Sequence, residues 1–451
     1  MKQQRGEARV QLAVRDQIEI RMMSLEQMVP ENHLVRVVVR FVESLDLSEL
    51  YAAIRSTAGG AGRSPIDPRI LFSLWLFATL EGETSGRRIA RLTERDTIYM
   101  FLCGGVSVNY HTLCDFRVEH GDLVERVLTD SVAVLHHNGL IKLETIAQDG
   151  MRVRASAGAG SFRREGSLKE AQRQAQQYLK ELNENDEDDE VTSGQQTTGQ
   201  QAARRRAAEE KVARVNEACR QMEELKERHE KRNRGKSAKN RTSAPRASTT
   251  DPDARRMKMG DTGFRPAFNV QFASDADALV IVDVDVTSEG TDSGQLEPMY
   301  QSVCDRYGTT LKNYRPENYL ADGGFRSQAG VTALESNGTK FFGPLPNEKK
   351  QLAAGLDPYS VRPGENKSFT AYRQRMGTDD AKTMYRRRAA AAEFPNANCR
   401  NQGLHQFKVR GLLKAKAQSL WHALAYNLRR FCNLRAGDTT TTTLMDVLLT
   451  T

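Results

Sequence analysis

Apolar residues at helical spacing dominate the first third of the chain. Leu34 to Leu50, which contains three consecutive valines, and Pro68 to Leu80 are rich in apolar positions, and Asp67-Pro68 is a helix-start signature. Short helices, tight glycine turns and exposed arginines are typical of a helix-turn-helix-like module. We therefore predict an all-helical domain over residues 1–135, which either contacts DNA or is an ordinary helical bundle.

A densely charged stretch with few aromatic residues occupies residues 162–261. Two runs within it have apolar residues at helical spacing, one around Leu168 and one around Val215, and the second follows the 3-4-3 step of a coiled-coil seam. Between them, Asn183 to Gln201 is acidic and then rich in Gly, Gln and Thr, which predicts a flexible tip. Arg232 to Ser248 is a basic linker that is not expected to bury a core. The stretch predicts a charged helical-hairpin insertion with flexible linkers, and a spacer role is favoured over a catalytic one.

Five runs of β-branched or aromatic residues predict strands: 141–149, 267–272, 279–286, 318–321 and 340–342. The third run is β-branched enough for a central strand. Helical patterns follow at Gln295 to Arg306 and at Leu412 to Leu434. This order predicts an α/β fold, with a mixed sheet flanked by helices over 140–161 and 262–435 and a flexible tail over 436–451.

Net charge and cysteine content narrow the class of protein. The 451 residues carry a formal net charge of +8 at pH 7. This basic excess favours a polyanionic partner such as DNA or RNA, although a merely soluble basic protein has the same charge. The six cysteines form no C-x-x-C pair, so neither a zinc site nor a disulfide framework is expected. With no signal peptide and no apolar run long enough for a bilayer, we expect a cytoplasmic protein.

Three acidic residues stand out because each lies at the edge of an apolar stretch. Asp149 follows one predicted strand and precedes Gly150, Asp322 follows another and precedes two glycines, and Glu393 lies in an alanine-rich helical run. Taken singly, Asp-Gly is a turn dipeptide, and a helical glutamate is usually solvated. Strand ends carry functional groups in open α/β folds, and arginines lie beside all three acids. Together the three carboxylates can hold two divalent metals for attack on a phosphodiester.

The three acids resemble those of the DDE transposases of bacterial insertion sequences, whose catalytic core has the ribonuclease H-like fold. One segment is similar to the family signature Tyr-x2-Arg-x3-Glu-x6-Lys, through Tyr385, Arg388, Glu393 and Arg400. It differs by one extra residue before the glutamate, by an arginine in place of the lysine, and by Pro395, which is expected to kink or end the helix. The signature arginine is therefore one of Arg386, Arg387 and Arg388.

Further blocks are similar to the insertion-sequence-1182-like group of these transposases: Val29–Leu34, Asp67–Arg69, Asp149–Ala155, Phe268–Gln271, Leu320–Phe325 and Arg410–Leu412. The resemblance covers most of the chain except roughly residues 162–250, where only a charged helical insert is shared. Several motifs in the right order make it specific, whereas a lone Asp-Gly is not.

The resemblance implies metal-dependent cleavage and strand transfer of insertion-sequence DNA ends in the bacterial cytoplasm, at the nucleoid. Asp149, Asp322 and Glu393 would be the catalytic residues and would bind two Mg²⁺ (or Mn²⁺) ions. The partners would be double-stranded DNA, namely the terminal inverted repeats and the target, and no membrane. A homodimer is expected because two DNA ends must be joined. The candidate DNA-binding residues are Tyr385, Arg386, Arg387, Arg388, Arg400, Arg152, Arg154, Lys408, Arg410, Arg87 and Arg88.

Two alternatives stay open at this point. A catalytically impaired, transposase-derived DNA-binding protein would keep end recognition and lack the chemistry, and the complete set of three acids argues against it. A metal-dependent DNA nuclease would have the same site without an end-binding module, and the long helical region 1–135 argues against that.

Overall fold

The structure is a computed structural model that describes Asp16 and residues 22–55, 64–193 and 199–436. Before residue 138, the described residues form eight α-helices: α1 Leu25–Met28, α2 Leu34–Glu43, α3 Ser48–Ala52, α4 Pro68–Leu80, α5 Gly86–Leu92, α6 Thr97–Cys103, α7 Tyr110–Glu119 and α8 Gly121–His137. Helix α4 begins where the sequence predicts, because the side chain of Asp67 accepts the N–H of Arg69 and Pro68 occupies the first turn. The helix predicted over Leu34 to Leu50 is instead divided into α2 and α3.

The rest of the described chain contains eight strands and nine further α-helices. The strands are β1 Thr145–Arg154, β2 Phe162–Arg163, β3 Ala247–Ser248, β4 Arg255–Lys258, β5 Phe264–Asp275, β6 Ile281–Thr287, β7 Asn318–Leu320 and β8 Lys340–Phe342. The helices are α9 Glu165–Ser193, α10 Gly199–Asn233, α11 Leu296–Gly308, α12 Gln328–Ser336, α13 Glu348–Ala353, α14 Lys367–Arg375, α15 Asp379–Arg388, α16 Phe394–Asn401 and α17 Leu412–Ala436. None of the helices in the described residues is long and apolar enough to cross a membrane.

Six strands form one mixed sheet in the order β4-β5-β1-β7-β8, and β6 also pairs with β5. Strand β1 is antiparallel to β5 and parallel to β7, and β7 is parallel to β8. The prediction of a mixed sheet with flanking helices is therefore confirmed. Helix α17 joins the sheet to the N-terminal helices, since it packs against β6, α4 and α8. The ring of Trp421 on α17 lies 4.7 Å from that of Phe72 on α4.

Two strands differ from the expectation. Strand β6, predicted to be central, pairs only with β5 among the described strands, and helices α17 and α11 bury it instead. Its β-branched composition therefore reflects helices packed over it, not strands on both sides. Strand β4 belongs to the main sheet although it lies within the predicted insertion. Its sequence Arg-Arg-Met-Lys carries the charge typical of an edge strand, which hides it from an apolar pattern.

The prediction that Asp149 ends a strand is wrong, because Asp149 lies in the middle of β1. The strand continues because its antiparallel pairing with β5 extends to Arg154. Its parallel pairing with β7 stops at Ala147. Asp322 comes two residues after Leu320, the last residue of β7 that pairs with β1. Asp149 likewise comes two residues after Ala147, so both aspartates lie just beyond the end of the parallel pairing.

The predicted hairpin corresponds to α9 and α10, which pack against each other. Leu168, Val215 and Met222 are buried in a small cluster of their own together with Ala218 and Ala247. Ala247 therefore contributes to a core, contrary to the expectation for the basic linker. Helix α9 continues to Ser193, so that part of the predicted flexible tip is helical, whereas residues 194–198 lie outside the described residues. Residues 437–451 of the predicted tail also lie outside them.

Candidate active site

The three acidic residues predicted to form a site converge on one guanidinium. Arg388 Nη2 lies 3.0 Å from Asp149 Oδ1 and 4.0 Å from Asp322 Oδ2, and Arg388 Nη1 lies 3.7 Å from Glu393 Oε1. The carboxylates come from the middle of β1, from the loop after β7, and from the helical segment between α15 and α16. Residues far apart in sequence are thus gathered around a single positive charge.

A turn of π-helix, Ala389–Glu393, separates Arg388 from the acid that ends it. A π-helix pairs residue i with residue i+5, so it takes one residue more per turn than an α-helix. The turn therefore absorbs the extra residue of the signature segment and returns Glu393 to the side of Arg388. Pro395 follows in the first turn of α16, where a missing N–H costs little, and the helix continues to Asn401. The proline thus does not end the helix, and the change of helix type comes just before it.

Exposure is graded across the site. The side chains of Arg388 and Asp149 are 12% and 18% exposed, whereas those of Asp322 and Glu393 are 41% and 66% exposed. Asp149 and Arg388 thus form the inner part of the site, and the other two carboxylates form its solvent-facing rim. A substrate that approaches from solvent meets Asp322 and Glu393 first.

The environment of Asp149 favours a neighbouring cation. Burial raises the pKa of the Asp149 carboxyl, the Arg388 guanidinium opposes this rise, and the negative charges of Asp322 and Asp292 add to it. Asn396 on α16 donates from Nδ2 to Asp149 Oδ2 at 3.0 Å. With Arg388 on one oxygen and Asn396 on the other, the carboxylate is held in one orientation. A second positive charge here would relieve the repulsion from the other acids.

Asp322 is fixed by its own turn. Its Oδ1 accepts the backbone N–H of Gly324 at 2.7 Å. A Cβ on Gly324 would lie 2.9 Å from that oxygen, so the second glycine of the motif permits the close approach. Tyr385 is half-buried one turn before Arg388, and burial raises the pKa of its hydroxyl. Arg388, Asp322 and Asp149 are the charges that act on it, which places this tyrosine beside the carboxylates.

Two family models match the chain. A transposase domain (DUF772) matches residues 23–119, and a transposase DDE domain matches residues 241–428. The chain is a DDE transposase of the insertion-sequence type. It is accordingly a DNA transposase enzyme. No curated protein and no solved structure shows a significant match to it. Asp322 and Glu393 lie within the DDE match, whereas Asp149 lies before it.

The carboxylates of the transposase suit a divalent cation only if Arg388 moves. Among the residues that the structure describes, no three His, Cys, Asp or Glu side chains are arranged to hold a metal ion. The guanidinium of Arg388 lies between the acids and is itself the cation that they share. Carboxylate oxygens are donors that fit Mg²⁺ or Mn²⁺ and not zinc. The donor set therefore fits such an ion in place of the guanidinium.

A fourth acid, Asp292, was not singled out from the sequence. Its Oδ1 accepts hydrogen bonds from Asn269 Nδ2 at 2.8 Å and from Gln271 Nε2 at 2.9 Å, and both amides belong to buried residues of β5. A Cβ on Gly150 would lie 2.2 Å from that oxygen, so glycine is required where Asp292 approaches β1. Because side chains alternate along a strand, Asp292 lies against the face of β1 opposite to Asp149. It adds negative charge behind that residue.

Replacing Asp292 is expected to weaken the support of β1. Asp292→Ala leaves the amides of Asn269 and Gln271 without their acceptor and should lower the free energy of unfolding by ~1–3 kcal/mol. Asp292→Asn keeps an acceptor oxygen, so its loss should be smaller. Chemical denaturation of both variants measures the difference. Equal stability of Asp292→Ala and the wild type would mean that the buried amides do not depend on this carboxylate.

The three consecutive arginines have different partners. Arg387 pairs with Asp277, and Arg386 donates to the Thr383 hydroxyl at 2.9 Å. Arg388 is the one of the three that reaches the carboxylates. The sequence left this choice open because it depends on the backbone of the π-helical turn.

The remaining predicted DNA-binding residues lie elsewhere on the transposase. Arg152 donates to the carbonyl of Gly290 at 3.0 Å and lies 3.8 Å from Asp292. Four basic side chains on and after β1 and before α17 are exposed: Arg154, Arg400, Lys408 and Arg410. The last two predicted residues, Arg87 and Arg88, lie on α5. Arg87 covers the ring of Tyr110, and Arg88 pairs with Glu83. The structure therefore does not bring all of these residues to the carboxylates.

Proposed function

We propose that this transposase cleaves the DNA ends of an insertion sequence of the 1182-like group and joins them to target DNA. Asp149, Asp322 and Glu393 are its catalytic carboxylates, and the mixed sheet is the ribonuclease H-like core that the DDE domain implies. The observation that carries the proposal is the approach of all three acids to within 4.0 Å of one guanidinium. Such convergence brings three negative charges together, and without a cation these charges would repel one another.

In this function the three carboxylates would hold two divalent ions, Mg²⁺ or Mn²⁺. When bound, such ions lower the pKa of an attacking water and stabilise the leaving oxygen of a phosphodiester. The carboxylate of Asp149 is oriented by β1 and by the hydrogen bond from Asn396. The carboxylate of Asp322 is oriented by the backbone N–H of Gly324 in its own turn. Glu393 contributes the most exposed oxygen pair, on a π-helical turn that joins two helices.

Arg388 acts on the substrate once the carboxylates have another cation. Its guanidinium then offers paired N–H groups to a phosphate oxygen of the bound strand, the geometry in which arginine binds phosphate best. Tyr385 lies one helical turn before it and can donate its hydroxyl to the same strand. In this proposal catalysis rests on positioning and on charge stabilisation, and the attacking groups are water and the 3′-hydroxyl of DNA.

DNA is held outside the carboxylates by the exposed basic residues. Arg154, Arg400, Lys408 and Arg410 lie around the core, whereas Arg87 and Arg88 lie on the N-terminal helices that match the transposase domain model. Phosphate contacts of this kind position a duplex without reading its sequence. Recognition of the terminal inverted repeats belongs to the N-terminal helices, and a homodimer on DNA brings the two ends together.

The test is a reaction with the DNA that flanks the coding sequence. Purified transposase with Mg²⁺ and a plasmid that carries both flanks should cut at the two ends, leave 3′-hydroxyls and join them to a second DNA. Nicking that is equal on a plasmid without the flanks would instead indicate a nuclease. Specific binding without any cut would indicate a DNA-binding protein without chemistry. Either result would contradict the proposal.

A further inference from the structure

A cleft at the base of the α9–α10 hairpin is lined by basic side chains. Its volume is about 350 Å³, and the charged groups in its wall are Arg163, Lys211, Arg214 and Arg410. Two hydroxyl side chains, Thr249 and Thr250, complete its polar surface. Among the described residues, no carboxylate lines it. The cleft therefore concentrates positive charge without an acid in its wall.

The four cations come from three separate parts of the fold. Arg163 lies on β2, Lys211 and Arg214 lie on α10, and Arg410 lies just before α17. Like charges that folding brings together repel one another, and a bound anion removes this repulsion. Arg214 Nε is buried and has no hydrogen-bond partner in the described part of the chain. The guanidinium of Arg214 therefore has an unused donor, in a residue that lines the cleft.

Two acids that do not line the cleft interact with its cations, Glu210 with Arg214 and Asp251 with Arg410. Glu210 lies 3.3 Å from Arg214 Nη1, but its side chain is 73% exposed and the pair is screened by solvent. Asp251 follows Thr250 in sequence, and its Oδ1 accepts the backbone N–H of Gly411 at 3.1 Å. The pair with Glu210 is weak, and Asp251 offsets part of the charge of Arg410 while it binds the backbone before α17. Arg163, Lys211 and Arg214 therefore carry most of the net positive charge of the cleft.

The cleft is connected to the strand that carries Asp149 through Arg410, which contacts the segment after β1. Arg154, at the end of β1, accepts the N–H of Phe407 at 2.8 Å and donates its own to the carbonyl of His405 at 3.2 Å. Beyond it, Arg410 Nε donates to the carbonyl of Ser156 at 3.4 Å. From Asp149 to Ser156 the chain advances at most about 23 Å, at ~3.3 Å per residue. Phosphates of one B-DNA strand advance ~3.4 Å each along the helix axis, so a duplex whose axis runs parallel to this span would place about six or seven phosphates of one strand along it.

We propose that this cleft binds a backbone phosphate of the element's DNA end, about six or seven nucleotides from the bond that is cut. Arginine forks, a lysine and two hydroxyls are the donors that hold phosphodiesters in a fixed register. Among the residues that the structure describes, no aromatic side chain lines the cleft, so they provide no platform on which a base or a free nucleotide would stack. The inference rests on the proposed function, since it takes insertion-sequence DNA as the ligand.

The experiment removes two charges from the cleft in the full-length chain. The Lys211→Gln/Arg214→Gln double variant is compared with Arg206→Gln/Arg220→Gln, which removes the same charge from other faces of α10. The probe is a fluorescent duplex of ~40 bp, built from the DNA that flanks the coding sequence, and its Kd is measured from ~50 to ~200 mM NaCl. The cleft variant should bind ~10-fold more weakly, with a salt slope lower by about 1, because the one lost phosphate contact contributes ~0.9. The matched variant should keep the wild-type slope.

A second arm locates the contact. Neutral methylphosphonates at the sixth and seventh phosphates from the cut should weaken binding by the wild type and have no further effect on the cleft variant. Lys211→Arg/Arg214→Lys, which keeps both charges, should bind as the wild type does and so separates charge from folding.

Three results would overturn the inference. One is an equal change of slope in the cleft variant and its matched control, and another is a methylphosphonate effect that survives in the cleft variant. The third is a cleft variant that binds DNA as the wild type does but is no longer stabilised against thermal unfolding by inorganic phosphate. That result would indicate a site for a free anion. Cleavage of the same duplex by the wild type is followed in parallel. Its absence counts against the proposed function, whereas the salt slope alone decides the cleft.

Discussion

Asp149→Asn is expected to abolish Mg²⁺-dependent cleavage of element ends, with a rate loss of at least ~1000-fold, or ~4 kcal/mol of barrier, while the protein remains folded. The variant keeps an acceptor oxygen but removes the charge that a divalent ion requires. Burial raises the pKa of this carboxyl, so the folded protein stabilises its ionised form less than water does. Neutralising it should therefore leave the thermal unfolding midpoint at neutral pH unchanged or slightly higher. Cleavage kinetics and a thermal melt of the same preparation measure both effects.

Asp379→Asn is the matched control for this change. Asp379 begins α15, and its side chain is 98% exposed, so its neutralisation removes the same charge far from the carboxylates. It should cleave at the wild-type rate. An Asp149→Asn variant that cleaves as fast as this control would remove Asp149 from the site. If Asp149→Asn failed to bind end DNA, its loss of cleavage would be due to a folding defect and not to lost chemistry.

Arg388→Gln is expected to bind Mn²⁺ more tightly than the wild type and yet to cleave at least ~100-fold more slowly. The guanidinium contacts the three carboxylates that we propose as metal ligands, so its removal would leave them to the metal. Without either cation the carboxylates repel one another, and the metal-free variant should lose ~1–3 kcal/mol of stability. Mn²⁺ titration followed by electron paramagnetic resonance gives the affinity, and denaturation with and without Mn²⁺ gives the stability.

The neighbouring arginine provides the control for that prediction. Arg387→Gln removes the same charge from the same helix, but Arg387 pairs with Asp277 and not with the three acids. Its Mn²⁺ affinity should match that of the wild type. If Arg388→Gln bound Mn²⁺ no better than Arg387→Gln, the guanidinium and the metal would not compete for one site.

The sequence predicts the acids better than it predicts their surroundings. Asp322 lies after β7 as expected, because a short apolar run that ends in Asp-Gly-Gly is a strong strand-to-turn pattern. The dipeptide Asp149-Gly150 also predicts a turn, and that prediction is wrong because both residues lie within β1. Glycine is needed there because Asp292 and Gln271 approach the backbone, and no local pattern carries that information.

The arrangement of Arg388 and Glu393 shows a second limit. The alanine-rich run predicts a helix, and the spacing suggests one residue too many between the arginine and the acid. A π-helical turn absorbs that residue, and its formation depends on packing against β1 and β5, which are distant in sequence. Which of three consecutive arginines faces the acids follows from that turn and not from the residue types.

Asp292 shows why the full set of charges around Asp149 was not predicted. It lies in the polar segment after β6, where an aspartate among Ser, Thr and Gly is typical of a loop. Its role follows from the pairing of β1 with β5, which sets Gly150 opposite Gln271 and Arg152 opposite Asn269. Register between strands more than a hundred residues apart has no signature in a single sequence.

The most direct test of the central claim is a crystal structure of the wild-type protein with Mn²⁺, read from its anomalous scattering. We expect anomalous peaks for two Mn²⁺ ions bound by oxygens of Asp149, Asp322 and Glu393, with Arg388 withdrawn from all three. A peak at other acids, or Arg388 still bound between the three carboxylates at saturating Mn²⁺, would contradict this expectation.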